Sequence, residues 1–336
     1  MKDGDILMLR GPEIDSLLAG REQEIIQTVR KAYETHAAGA SSLPHSTFLR
    51  FPKEPRNRII ALPAYLGDGF ETAGIKWVSS FPDNIKRGMD RASAVVILNS
   101  MATGRPESIL EGSLISAKRT AASAALAGRC LHENARQLGM IGCGLINFEI
   151  LRFITAANSE ISRLVVYDID GDRAARFKKK CEDAFRYSVT VVEDVKRVLG
   201  DCDLISFATT AGTPYVPELS NCAPGTAILH VSLRDLAPEA ILACDNIVDD
   251  VDHVCRAETS VHLAEQLTGN RDFIRCTLGE ILNGSAKARE DEQKAAVFSP
   301  FGLGILDLAL SKLVFELAVK EGKGTVIESF LPASGQ

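Results

Sequence analysis

A chain of 336 residues, 46% hydrophobic and 24% charged, is long enough for two domains with separate cores and has the composition of neither a disordered segment nor a fibre. A formal net charge of -6 leaves no basic footprint for nucleic acid, and no apolar run approaches the roughly 20 residues of a membrane span. Small soluble partners are therefore expected. Eight cysteines without a C-x-x-C pair and six dispersed histidines argue against disulfide staples and against a zinc site. The N-terminus carries charges where a signal peptide needs an apolar core, so a cytoplasmic protein is expected.

In chain order, the first third alternates short strand-like runs with turns: Ile6–Leu9, Ser46–Phe51, Ile59–Pro63, Thr72–Ser79, Ala94–Asn99 and Glu107–Leu110. A single helix of length, about Glu22–His36, interrupts them, which predicts an antiparallel α+β unit. A helix from roughly Ser113 to Leu131 leads into a region of strand–helix alternation, with strands near 138–142, 163–168, 189–192, 203–207, 226–231 and 246–249. That rhythm predicts a doubly wound parallel sheet of order 3-2-1-4-5-6. The acidic knot Asp249-Asp250-Val251-Asp252-His253 reads as a strand end and a solvated helix start. After a polar loop at Ala286–Lys294, Phe301–Lys320 reads as an amphipathic helix returning to the first domain. The expected division is 1-125 with 303-336, and 126-302.

The most informative stretch is Met140-Ile-Gly142-Cys143-Gly144-Leu145-Ile146-Asn147, an apolar strand running through Gly-x-Gly into a helix. Gly142 permits the tight turn, Gly144 lets the backbone approach a pyrophosphate, and the helix start at Leu145 and Ile146 offers unpaired N–H groups. A second strand, Arg163–Asp168, ends in an acid 24 residues beyond Gly144, close to where a ribose-binding acid is expected. An acid there repels a 2′-phosphate and favours NAD over NADP, with Arg173 the nearby counter-argument. Asn147 replaces the third glycine of the fingerprint and is expected to loosen the packing of helix on strand.

An enzyme of this kind needs an anchor for its substrate and a group to move a proton. Arg50, Lys76 and Arg119 are the candidates in the first domain. Lys76 lies in an apolar strand, Ala73–Val78, where an inward lysine needs a partner; from this window alone the solvent face is the better reading. Arg119 precedes a run of small residues that would let a cofactor approach, although such a run is also a good helix. Asp235, in the segment Val231–Asp235 that closes the fifth strand, is a plausible acid/base group facing the ligand crevice.

The segments GIKWVSS (74–80), RASAVVILN (91–99), EGSLISAKRTAASAA (111–125), MIGCGLI (140–146) and FSPFGLGILDLA (298–309) together resemble the ornithine cyclodeaminase/mu-crystallin family over nearly the whole chain. Within it, LISAKRTAAS, IVDD, LGEILNG and ARED are most similar to dehydrogenases of siderophore pathways that split N-(2-amino-2-carboxyethyl)-L-glutamate into L-2,3-diaminopropionate and 2-oxoglutarate. The resemblance implies a Rossmann domain plus an α+β domain for substrate binding and dimerisation, an amino-acid substrate, and a homodimer. It implies that Arg50 clamps the substrate carboxylate, that Lys76 stands beside the substrate, that Arg119 bridges carboxylate and cofactor, and that Asp235 lies near the reacting amine. Ser93 would stand near the nicotinamide, Asp168 at the ribose, and Thr120, Thr209 and Ser232 would complete the cofactor contacts with Arg119 and the glycine loop. Cyclodeaminases have a glutamate where this chain has Ile60, three residues before Pro63, which weighs against ornithine cyclisation. The alternatives are that lyase activity, a crystallin-like binding protein, or a reductase of cyclic imines.

Overall fold

The computed structural model describes residues 2, 4–158, 160–185 and 187–332. In chain order the first elements are β1 (Ile6–Leu9), α1 (Gly11–Leu18), α2 (Glu22–Ala37), β2 (Ser41–Ser42), β3 (Thr47–Phe51), β4 (Glu54–Leu66), β5 (Thr72–Ser80), β6 (Ala92–Asn99), β7 (Pro106–Glu111) and α3 (Gly112–Leu131). They are followed by β8 (Gln137–Ile141), α4 (Leu145–Ala157), β9 (Arg163–Tyr167), α5 (Gly171–Ala184), β10 (Ser188–Val191), α6 (Val195–Asp201), β11 (Leu204–Phe207) and β12 (Ala227–His230). The remainder comprises α7 (Pro238–Leu242), β13 (Asp245–Val248), α8 (Val251–Val254), α9 (Ser260–Thr268), β14 (Ile274–Thr277), α10 (Leu278–Leu282), β15 (Ala296–Ser299), α11 (Gly304–Glu321) and β16 (Thr325–Ile327). Two compact units result, 1–119 with 303–336 and 120–302, so one boundary falls inside α3, after Arg119.

The first unit is a mixed sheet of order β16-β1-β7-β6-β5-β4-β2, with β3 also paired to β4. Its strands run antiparallel except for the parallel pair β1 and β7. Sequence reading missed α1, whose short apolar stripe of Ile14, Leu17 and Leu18 is buried and whose start is fixed by Pro12 and by Glu13, which accepts the Arg10 backbone N–H at 2.8 Å and the Arg10 guanidinium at 2.7 Å. It also misjudged α11. Gly304 through Ser311 are buried without interruption, so this half of the helix has no solvent face and runs as a core element, packed on α1, α2, β4, β5 and β6.

The second unit is an eight-stranded, wholly parallel sheet of order β10-β9-β8-β11-β12-β15-β13-β14. The first five strands keep the expected doubly wound order. The expected sixth neighbour does not: β15 inserts between β12 and β13, pairing Ala296 with both Ala227 and Asp245. β15 matches β11, β12 and β13 in length and complete burial, and what hid it is its place directly after the polar loop Ala286–Lys294 and before Phe301, outside the strand–helix rhythm. β14 was missed although it is no shorter than β11, β12 or β13. In the acidic knot, Asp250 caps α8 through the His253 N–H, while buried Asp249 accepts the N–H groups of Phe301 and Gly302 at 2.9 and 2.7 Å and so fixes the end of this unit. Burial pushes the Asp249 carboxyl up, against those bonds.

Candidate functional site

Lys76 sits midway along β5, in register with Leu62 of β4 and Val96 of β6. At 3% exposure it points inward, onto the face that α11 covers, against the solvent-facing reading of its sequence window. Its Nζ donates to Asp307 Oδ2 at 2.6 Å and to Ser116 Oγ at 3.2 Å. Arg119, from α3, donates through Nε to the other Asp307 oxygen at 3.0 Å and through Nη2 to Ser116 Oγ at 3.3 Å. Two buried cations thus share one fully buried carboxylate, which leaves a surplus positive charge suited to a bound anion. Burial, then the Arg119 charge, push Lys76 down to about 8 despite the pull of Asp307. Sequence reading missed Asp307 and Ser116. The signal for Asp307 was a lone acid in the apolar run Ile305–Leu310.

The structure does not gather every predicted residue at this cluster. Arg50 is on β3, on the same sheet face but exposed at the hairpin, its guanidinium 5.4 Å from the centre of the Phe48 ring. Ser93 is on the opposite face, where it pairs in register with Ser79 and bonds it at 2.8 Å; the strict alternation of β6 separates it from Lys76. Thr120 is half-buried one residue beyond Arg119 on α3.

In the second unit, Gly142 has a φ of 92°, and a Cβ there would come within 2.6 Å of the Ala208 carbonyl oxygen, so only glycine fits. Gly144 precedes α4, and a Cβ there would meet nothing within 4 Å. The free space, with the unpaired first N–H groups of α4 at Leu145 and Ile146, fits a dinucleotide pyrophosphate. Asp168 follows β9, accepting the Cys143 N–H at 2.8 Å and the Asp170 N–H at 2.9 Å. Arg173 lies 3.5 Å from Asp168 and 3.2 Å from Asp170, so its charge is met by two acids. Asn147 contradicts the expectation of looser packing. It is fully buried, donates to the carbonyls of Ile141 and Gly142 at 3.0 and 2.6 Å, and accepts the Ser206 hydroxyl at 2.7 Å, tying helix, turn and two strands together.

Asp235 lies beyond β12, in a segment that folds back to Val216. It does not line an open crevice as expected: it is fully buried, and Oδ1 accepts the hydroxyls of Thr209 at 2.5 Å and Tyr215 at 3.1 Å, both from less buried residues. Oδ2 is 3.4 Å from Nε2 of buried His230, whose Nδ1 is 3.3 Å from Ser299 Oγ. Burial opposes the carboxylate charge, but His230, Ser232 and Thr209 prevail and hold Asp235 below its ordinary range. Burial and the Asp235 charge push the Tyr215 hydroxyl up, so it stays protonated. Ser232, just beyond β12, is buried beside the Asp235 carboxylate. Tyr215 and His230 were not found from sequence, because an isolated tyrosine or histidine carries no local signature.

A doubly wound sheet with a pyrophosphate turn and a ribose acid, preceded and followed by a chain segment forming an α+β unit, defines a class of nucleotide-cofactor enzymes. The chain belongs to the ornithine cyclodeaminase/mu-crystallin family, whose model matches residues 8–322. It is 28% identical to N-((2S)-2-amino-2-carboxyethyl)-L-glutamate dehydrogenase of Staphylococcus aureus, across 97% of this chain and 99% of that protein. The structure resembles that of Thermococcus litoralis Δ1-pyrroline-2-carboxylate reductase in complex with NADH and L-proline, with a TM-score of 0.90, 27% identity, and coverage of 95% of this chain and 99% of that one. It also resembles an archaeal alanine dehydrogenase dimer with bound NAD, at a TM-score of 0.87, 27% identity, and coverage of 96% and 99%.

Proposed function

We propose that this protein oxidises N-(2-amino-2-carboxyethyl)-L-glutamate with NAD⁺ and releases L-2,3-diaminopropionate and 2-oxoglutarate. The chain is an NAD-dependent amino-acid oxidoreductase; the finer reading concerns the amino acid. The observation that carries it is the buried Lys76–Asp307–Arg119 cluster, whose surplus positive charge suits a carboxylate. Half-buried Ile60 lies on the same sheet face, in the row next to Lys76, where an ornithine ammonium would be left unpaired at high cost. Similarity to the Staphylococcus aureus enzyme along almost the whole chain supports the same choice.

In this reading Lys76 and Arg119 hold a carboxylate by charge-assisted hydrogen bonds, and Arg50 clamps a carboxylate from β3. The loop of Gly142 and Gly144, the α4 start, Asp168, Thr209 and Ser232 hold NAD, which supplies the hydride acceptor. The glutamate Cα loses hydride and its nitrogen loses a proton, giving an imine. Asp235 takes that proton through the Thr209 or Tyr215 hydroxyl, since the carboxylate itself is buried. Water then adds to the imine carbon and the C–N bond breaks. One substrate, one NAD⁺ and one water become the two products, NADH and a proton.

The outer face of the first sheet, opposite Lys76, carries Leu49 at 46% and Trp77 at 41% exposure, and we assign it to a homodimer contact. Eight free cysteines fit a reducing, cytoplasmic setting. The test of the reaction is incubation with NAD⁺ and the tricarboxylic substrate, expected to yield stoichiometric NADH, 2-oxoglutarate and 2,3-diaminopropionate. Ammonia and proline from ornithine without net NADH would overturn the reading in favour of the lyase.

A further inference from the structure

On the Lys76 face of the first sheet, the row two pairs further along brings Arg58 of β4 opposite Ser80 of β5, with Arg50 of β3 opposite Arg58 on its other side. Arg91, just before β6, donates from Nη1 to Ser80 Oγ at 3.4 Å. That is its one side-chain bond among the described residues, and it is to a neutral hydroxyl that is itself buried. Desolvation pushes the Arg91 pKa down, as for a guanidinium withdrawn from water without an acid beside it. The row between, Ile60, Val78 and Ala94, is half-buried and apolar, and lies on the same face. Lys76 and Ser80 are four residues apart on one strand, about 13 Å at the usual rise, and side chains reaching toward each other shorten that gap to the length of a short dicarboxylic acid.

We propose that Arg58 and Arg91, flanking Ser80, form a second anion subsite that takes a distal carboxylate of the substrate while its methylenes lie on Ile60, Val78 and Ala94. The subsite thereby selects dicarboxylic or tricarboxylic amino acids over those with one carboxylate. The inference rests on the reading that Lys76 and Arg119 receive the proximal carboxylate. A planar guanidinium suits the task, because it binds a carboxylate in a fixed two-pronged geometry that a lysine cannot reproduce.

Calorimetric titration of the NADH-loaded protein with 2-oxoglutarate and with pyruvate tests this directly, because the two acids share one end and differ by the second carboxylate. The unmodified protein is expected to prefer 2-oxoglutarate by roughly 10–100-fold, the worth of one or two charge-assisted bonds. Arg91→Ala, Arg91→Lys and Arg58→Gln should each cut that ratio severalfold or more, with Arg91→Ala bringing it toward one. NADH fluorescence verifies that each variant is folded. An undiminished ratio in both Arg91 variants and Arg58→Gln, or no preference in the unmodified protein, overturns the subsite. Binding rather than turnover is read, so a preference abolished by Arg91→Ala upholds the subsite even if the tricarboxylic substrate yields no NADH and the proposed reaction falls.

Discussion

Asp307 is one carboxylate serving two buried cations, so its charge should matter more than its size. Asp307→Asn leaves Lys76 and Arg119 buried side by side and is expected to cost about 3–5 kcal/mol, read as a lower urea midpoint. A second expectation concerns pH. The folded-state value of Lys76 is depressed to about 8, so the ammonium needed for a carboxylate is present below that pH and lost as pH rises through it. The kcat/KM, which reports the free enzyme, should therefore fall above about pH 8, and Lys76→Arg, with a guanidinium that stays charged, should remove that limb of the profile. An unchanged alkaline limb in Lys76→Arg would assign the inflection elsewhere. For Asp235, Asp235→Asn should retain the fold and NAD binding but lose roughly 10²–10⁴-fold in turnover, the usual worth of a positioned proton acceptor. Near-normal kcat in a folded, NAD-binding Asp235→Asn protein would remove it from the mechanism.

At the scale of elements, the glycine turn offers a pair of substitutions with opposite readouts. Gly142→Ala forces a Cβ onto the Ala208 carbonyl at a positive φ and should yield unfolded or strongly destabilised protein. Gly144→Ala meets nothing in the protein and should melt normally, yet bind NAD more weakly if the pyrophosphate occupies the proposed space beside it. Equal NAD affinity in Gly144→Ala, measured by fluorescence titration, would place the cofactor elsewhere. The turn was legible because its geometry is local: strand, Gly-x-Gly and helix are contiguous. Asn147 shows the limit of that legibility. Its replacement of a glycine was visible, but its partner Ser206 lies 59 residues away, so sequence predicted a loose contact where the fold makes a pinned one. The strand β15 escaped because it is no longer than β11, β12 or β13 and, unlike them, follows a polar loop instead of continuing a strand–helix alternation.

For the whole molecule, the exposed apolar face around Trp77 belongs to a sheet whose other face is covered in part by α11. Trp77→Asp should convert the proposed dimer to monomer in light scattering, leaving far-UV circular dichroism unchanged; a dimer that survives would move the contact to another surface. By itself the sequence determined the fold class and the Gly-x-Gly turn, because strand and helix periodicity and that turn are written in neighbouring residues, whereas the window around Lys76 pointed that side chain to solvent. Only the tertiary structure decided where Lys76 and Arg119 point and what they meet. Lys76 and Arg119 meet Asp307 across separations of 231 and 188 residues, and Arg91 meets Ser80 through strand pairing. Such contacts depend on which strands pair, in what register and under which helix, and no local pattern encodes that. The same physics set the insertion of β15 and the burial of Asp235: each follows from how long-range packing closes a core, after the local elements have formed.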